Sequence, residues 1–179
     1  MIFSEALTIK IAHDLAGGIG ALASTADLMG LDPSFVSEAP DMLKKNTQML
    51  MARLKFYRAL FGAETKSITS ELVFDYLNTL GPKITFSGKV ASRLELSLIA
   101  LGIQIVACGG DILYSNNTLI IKSNELIIKD NIKNILSNYS NKESEVETIE
   151  AEWLMKLLKE NNLKLKMTQN PSFLKFELI

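Results

Sequence analysis

The chain holds one histidine and one cysteine, His13 and Cys108, in 179 residues. That pair of counts removes much of the usual catalytic repertoire. A lone cysteine excludes an internal disulfide and a zinc site built on cysteine ligands, and a lone histidine excludes any centre needing two imidazoles. A Ser-His-Asp arrangement could draw only on His13. The chemical question therefore narrows to one ring. An imidazole titrates near neutral pH, so a good fraction is neutral and offers a free lone pair, which makes it a competent nucleophile toward phosphorus. Asp14 follows directly and could accept the proton on the nitrogen that does not attack, or serve only as a surface carboxylate. Lys10 lies one helical turn before His13, and an antiparallel helical partner would bring Lys55 and Arg58 near it, so these three are candidates to place positive charge beside a phosphoryl group.

The elements that must position His13 are two amphipathic helices. The first is expected over about 4–29, opened by Ser4 as a cap with Glu5 near the positive end of the helix dipole. Its apolar or small residues Ile11, Leu15, Gly18, Leu22, Thr25 and Met29 recur in alternating steps of four and three, a heptad seam. Gly30 and Asp32-Pro33 are expected to stop it. Pro40-Asp41 opens a second helix with the seam Leu43, Thr47, Leu50, Leu54, Tyr57 and Phe61, ended by Gly62. The short connection makes the two antiparallel neighbours. Their apolar faces are wider than one partner covers, so a homodimer forming a four-helix bundle is expected, with packing of the hairpin against the rest of the chain as the alternative.

In that register His13 lies diametrically away from the seam. The residues sharing its face are Ala16, Gly17, Gly20, Ala23 and Ser24, where a solvated helix face should carry Lys, Glu and Gln. Each interior glycine costs a helix about 1 kcal/mol relative to alanine. Gly18, on the seam, has a packing reason. Gly17 and Gly20 do not, and a bare face beside the imidazole suggests a docking surface for another protein's helix. The string Gly-Gly-Ile-Gly lacks the GxxxxGK[ST] pattern and a preceding strand, so a phosphate loop is only weakly indicated.

Residues 66–179 alternate helical and strand patterns: a helix near 70–80, a strand at 83–87, a long aliphatic helix at 91–108 ended by Gly109-Gly110, and a hairpin of 111–114 with 118–122. Beyond these come a short apolar run at 126–128, helices near 131–139 and 147–161, a polar and mobile loop at 140–145, and a closing hairpin of 163–168 with 173–178. Helices against an antiparallel or mixed sheet make a two-layer α/β sandwich, so the fold class is α+β with a boundary near 64/65. Nineteen basic against twenty acidic side chains give a net charge of −1, which argues against nucleic-acid binding and against a polybasic membrane anchor. The N-terminus lacks the basic and apolar regions of a secretory signal, and no apolar run approaches the length of a membrane span, so a cytoplasmic protein is expected.

Three segments carry a family resemblance: His-Asp-Leu-Ala-Gly-Gly-Ile-Gly-Ala-Leu at 13–22, Ala-Arg-Leu-Lys-Phe-Tyr-Arg-Ala-Leu-Phe-Gly-Ala at 52–63, and Arg-Leu-Glu-Leu-Ser-Leu-Ile-Ala-Leu-Gly at 93–102 followed by Gly109-Gly110. In order and spacing the chain resembles bacterial histidine phosphotransferases of the ChpT type. The resemblance implies a dimerisation and phosphotransfer hairpin over 1–64 and a degenerate kinase-ATPase-like α/β domain over 65–179. It implies a homodimer that takes a phosphoryl group from the receiver domain of a hybrid histidine kinase onto His13, beside Asp14, and passes it to response regulators. No cofactor of its own is implied, with Mg²⁺ supplied by the receiver. Where a working kinase of this kind has an Asn, this chain has Ser97, and no Asp-x-Gly-x-Gly string occurs. The family's proline and arginine before Gly-Gly are replaced by Ala107-Cys108. Two other readings stay open: a non-enzymatic dimeric scaffold or kinase-regulating docking protein, and an ATP-dependent histidine kinase.

Overall fold

Apolar residues in four-three steps build the first two helices, and the computed structural model follows them closely. It describes residues 1–31, 33–62, 68–81, 83–106, 109–124, 126–137 and 144–179. Helix α1 spans Phe3–Leu31 and α2 spans Ala39–Phe61, joined through a 3-10 turn at Pro33–Ser37. They are antiparallel: Gly18 abuts Leu50, while Asp14, one turn earlier, meets Arg53 and Tyr57. The ends differ from expectation. Ser4 lies inside the first turn rather than capping it, and the Glu5 carboxylate instead accepts the Ile2 N–H at 3.3 Å. Gly30 does not stop α1, which runs one residue past it, because an exposed glycine with no steric demand weakens a helix without breaking it. Asp32 lies outside the described residues, as do Ala107 and Cys108.

The rest of the described chain is a mixed sheet with helices on one side. Helices α3 (Ser70–Asn78), α4 (Arg93–Ile105), α5 (Asp130–Ser137) and α6 (Ile149–Glu160) accompany strands β1 (Ile84–Gly88), β2 (Gly110–Ser115), β3 (Thr118–Lys122), β4 (Leu165–Asn170) and β5 (Phe173–Leu178). The strand order is β1-β2-β3-β5-β4; β1 and β2 are parallel and the other neighbours antiparallel. Period-two alternation sends Phe86, Ile112, Tyr114, Leu119, Ile121, Leu174 and Phe176 to one buried face, where Leu98, Ile99 and Leu101 of α4 and Leu154 and Leu158 of α6 close the core. One sheet face covered by one helical layer is the two-layer α/β arrangement.

Local chemistry fixes the joints. Ser92 caps α4 with a reciprocal box: its hydroxyl accepts the Glu95 N–H at 3.2 Å, and the Glu95 carboxylate accepts the Ser92 N–H at 3.0 Å. That cap starts the helix two residues later than the aliphatic run alone suggests. Asn116 and Asn117, at φ 48 and 60, form the two-residue turn between β2 and β3 that asparagine tolerates best. Gly109 and Gly110 lead into β2 at φ 118 and 153, and a Cβ on Gly110 would lie 2.4 Å from the Lys122 carbonyl oxygen. The Gly-Gly pair is therefore required by the backbone. The run 126–128 forms no regular element, although Ile128 is buried.

Of the polar stretch expected to be a mobile loop, 140–143 lie outside the described residues, and the expectation fails at 144. Ser144 is buried, its N–H donates to the Met1 carbonyl at 2.8 Å, and its hydroxyl donates to Glu152 at 2.5 Å. A short polar segment can be pinned by hydrogen bonds that composition does not reveal.

The hairpin is docked on the α/β layer through aromatic side chains. Phe56 stacks on Tyr76 of α3 at 4.0 Å between centroids, Phe61 meets Trp153 of α6 edge-on at 5.7 Å, and Phe3 stacks on the same Trp153 at 5.8 Å. Phe56, Tyr57 and Leu60 are buried there. Further along the hairpin the cover is thin: Ile19, Leu28, Leu31, Met42, Met51 and Leu54 remain exposed. No helix among the described residues is long and apolar enough to cross a membrane.

Candidate functional site

The register that sets Gly18 against Leu50 turns position 13 outward, and the His13 side chain is 85% exposed. Its Nδ1 lies 3.1 Å from Asp14 Oδ1. Half-burial pushes the Asp14 carboxyl upward, but hydrogen bonds from Tyr57 and His13 and the charge of Lys10 outweigh it and hold the group below the ordinary carboxylate range. An ionised carboxylate only accepts, so the contact requires the imidazole proton on Nδ1. Nε2 then carries the free lone pair, and it has no partner among the described residues.

Asp14 is fixed from several sides. Its Oδ2 accepts the Tyr57 hydroxyl of α2 and pairs with Lys10 Nζ at 3.1 Å. Its backbone carbonyl accepts Arg53 Nη1 at 2.7 Å, and the same guanidinium donates through Nε to Thr79 Oγ1 and through Nη2 to the Thr79 carbonyl, both at 3.0 Å. Arg53 thus clips α1 and α2 to the end of α3. The Tyr57 phenol is pushed well above its usual range by burial, then by Tyr76 and its bond to Asp14, so it stays a donor at all ordinary pH.

The small residues downstream of His13 are bare. Ala16, Gly17, Gly20, Ala23 and Ser24 are all exposed. A Cβ added at Gly17 or Gly20 meets nothing within 4 Å, whereas one at Gly18 would lie 2.5 Å from Leu50 Cδ2. Gly18 serves close helix packing; Gly17 and Gly20 serve no such contact among the described residues.

The three candidate cations separate. Lys10 is turned into the protein and paired with both Asp14 and, at 3.5 Å, Glu150 of α6. Burial lowers its pKa, but Glu150 and then Asp14 raise it by more, so the net shift is upward and the ammonium persists. It is engaged rather than available to an incoming phosphoryl group. Lys55 and Arg58 are exposed on α2, and no contact joins either to His13 among the described residues.

Sequence reasoning missed Arg53, Tyr57 as a hydrogen-bond donor, and Glu150. Glu150 left a signal: it precedes Leu154 by four and Leu157 by seven, and so sits on the apolar stripe of α6, where a carboxylate is out of place. These groups line a cavity of about 390 Å³ between the hairpin and the α/β layer, walled by Lys10, Asp14, Tyr57, Tyr76, Gln104 and Glu150 among others. No group of three or more His, Cys, Asp or Glu side chains that could hold a metal ion occurs among the described residues. Ser97 is buried and donates its hydroxyl to the Arg93 carbonyl at 2.7 Å.

A solved structure shares this fold. It is described as a 1.7 Å structure of a bacterial phosphotransferase, and superposes with a TM-score of 0.79 over 99% of this chain and 95% of that one, at 18% identity. At that identity the likeness concerns the fold. No family model matches the sequence, and no curated protein does.

Proposed function

We propose that this protein is a histidine phosphotransferase that relays a phosphoryl group between receiver-domain aspartates through His13. The observation that carries the reading is an exposed imidazole whose Nδ1 proton is held by an ionised Asp14, beside a helix face of five small, exposed residues. The fold shared with a structure described as a bacterial phosphotransferase agrees with it.

In this reading a receiver bearing an aspartyl phosphate docks on Ala16, Gly17, Gly20, Ala23 and Ser24, and glycine lets its helix approach the α1 backbone closely. Nε2 attacks phosphorus in line; the Nε2–P bond forms as the acyl P–O bond breaks, and the carboxylate leaves with the electron pair. The ring becomes cationic and keeps its Nδ1 proton, which Asp14 stabilises. Catalysis is mostly positioning. The transferring group is neutralised by the receiver's own Mg²⁺, and this chain contributes no cofactor. Lys55 and Arg58, exposed on α2, remain to pair with the receiver or the phosphoryl group. Reversing the geometry loads a second receiver, of a response regulator.

The reading divides the chain into a phosphotransfer hairpin, 1–64, and a degenerate ATPase-like domain, 65–179. It places the protein in the cytoplasm as a homodimer. The exposed apolar residues along the hairpin, Leu28, Met51 and Leu54 among them, support a second copy completing a four-helix bundle. The test is His13→Ala: transfer from a phosphorylated receiver should vanish while the circular dichroism and unfolding curve stay as in the parent. Unimpaired signalling by that variant would favour the docking-scaffold reading.

A further inference from the structure

The transfer step does not use the buried carboxylate of Glu150. Glu150, in the first turn of α6, is 7% exposed; its Oε1 pairs with Lys10 Nζ at 3.5 Å, and its Oε2 has no hydrogen-bond partner among the described residues. Burial pushes this carboxyl upward and Lys10 only partly offsets it. A buried ion pair of this kind is often no more stable than an apolar side chain of the same size. Here the stripe continues as Leu154, Leu157 and Leu158, so leucine at 150 would extend it. The retained carboxylate calls for a role beyond holding α6 to α1.

The contacts supply one. From Glu150 they run to Lys10 at 3.5 Å, from Lys10 to Asp14 Oδ2 at 3.1 Å, and from Asp14 Oδ1 to His13 Nδ1 at 3.1 Å. The charged and titratable groups facing this line are Lys10 and Asp14 from α1, Arg53 and Tyr57 from α2, Tyr76 from α3, Lys83 ahead of β1, and Glu150 from α6. Arg53 is spent on Thr79 and the Asp14 carbonyl, and Tyr57 on Asp14 Oδ2. Glu150 is thus the only carboxylate besides Asp14 that the described residues present to Lys10. With Glu150 in place, the ammonium is shared and Asp14 keeps its acceptor strength toward the imidazole. Without it, the full positive charge falls on Asp14 and weakens the bond to Nδ1.

We propose that Glu150 is a positioning residue for His13: acting through Lys10, it keeps the Asp14 carboxylate on imidazole Nδ1 and so leaves Nε2 as the nitrogen with the free lone pair. The inference rests on His13 being the nucleophile, but its test needs no receiver. The chain has a single imidazole, so a long-range proton–nitrogen NMR spectrum of labelled protein shows only its two nitrogens. At pH 9 the parent should show a protonated Nδ1 and a bare Nε2, the reverse of the tautomer that predominates for a free histidine side chain in water. Glu150→Gln should shift the population toward the Nε2-protonated form. Phosphoramidate serves as the second probe: the Nε2–P bond forms as its P–N bond breaks and ammonia leaves. That labelling of His13 should slow about fivefold in the variant, within the range that coupled network residues show.

Glu150→Leu, which suits the apolar stripe, should give the same two changes in a well-folded protein. Lys10→Met removes the cation through which Glu150 acts, so it should leave Nδ1 protonated, and Glu150→Gln added to it should change neither the tautomer nor the labelling rate. A Glu150 that is only a structural bolt would alter the melting temperature and leave both the tautomer and the labelling rate unchanged. That outcome, or a parent spectrum with Nε2 protonated, overturns the proposal. A tautomer shift in a chain that takes no phosphoryl group from any receiver would uphold it and refute the relay instead.

Discussion

Replacing Gly17 and Gly20 together by alanine separates folding from docking. Alanine is favoured over an interior helical glycine by about 1 kcal/mol. A Cβ at either position meets nothing within 4 Å, so no steric cost opposes that gain. The two sites share no partner, and their effects should add to about 2 kcal/mol. For a chain of this size that raises the melting temperature by about 4–8 °C. Gly18→Ala is the internal control: its Cβ would lie 2.5 Å from Leu50 Cδ2, and the displaced leucine should cancel the propensity gain or lower stability by about 1 kcal/mol. Calorimetry or thermal circular dichroism reads all three proteins. In the same double variant, transfer from a phosphorylated receiver should fall about tenfold, because two methyl groups hold the docking helix off and misfit of this size costs about 1–3 kcal/mol. Labelling by phosphoramidate, which needs no docking, should be unchanged. A double variant less stable than the parent would mean that this face is covered in solution, and the reasoning about bare glycines would be wrong.

Arg53→Met removes three hydrogen bonds at once and leaves the Thr79 and Asp14 carbonyls short of a donor, so urea unfolding should show a loss of about 3 kcal/mol. Asp14 lies below its ordinary pKa when folded, so its contribution is present above that ordinary value and disappears as pH falls through the folded one. The unfolding free energy of the parent should accordingly drop more steeply than that of Asp14→Asn below about pH 4, and chemical denaturation along a pH series measures the difference. Met51→Glu with Leu54→Glu puts two charges on the exposed apolar side of α2; light scattering should then report the mass of a single chain where the parent reports twice that.

The periodicity of the sequence located the helices and strands to within a few residues, since each is written in side chains close together in the chain. The phase of the seam also distinguished Gly18, which meets Leu50, from Gly17 and Gly20, which meet nothing. What could not be read were interactions between distant positions. Arg53 reaches the Asp14 carbonyl across 39 residues, and Tyr57 reaches its carboxylate across 43. Tyr57 lies on the apolar seam and Arg53 beside it, where a long polar or aromatic side chain looks like packing. Lys10, one turn before His13, invites a phosphate role by spacing alone, and only the tertiary arrangement commits it to Asp14 and Glu150. The expectation at Ser144 failed for the same reason: its partners are the Met1 carbonyl, ahead of α1, and Glu152 of α6.

The relay itself is tested most directly by following the phosphoryl group. A receiver domain charged at its aspartate is mixed with the protein, and label is traced by peptide mapping. The account predicts an acid-labile, base-stable adduct confined to the peptide bearing His13, discharged when an unphosphorylated second receiver is added. Label on any other residue, or undiminished labelling of His13→Ala, would contradict it.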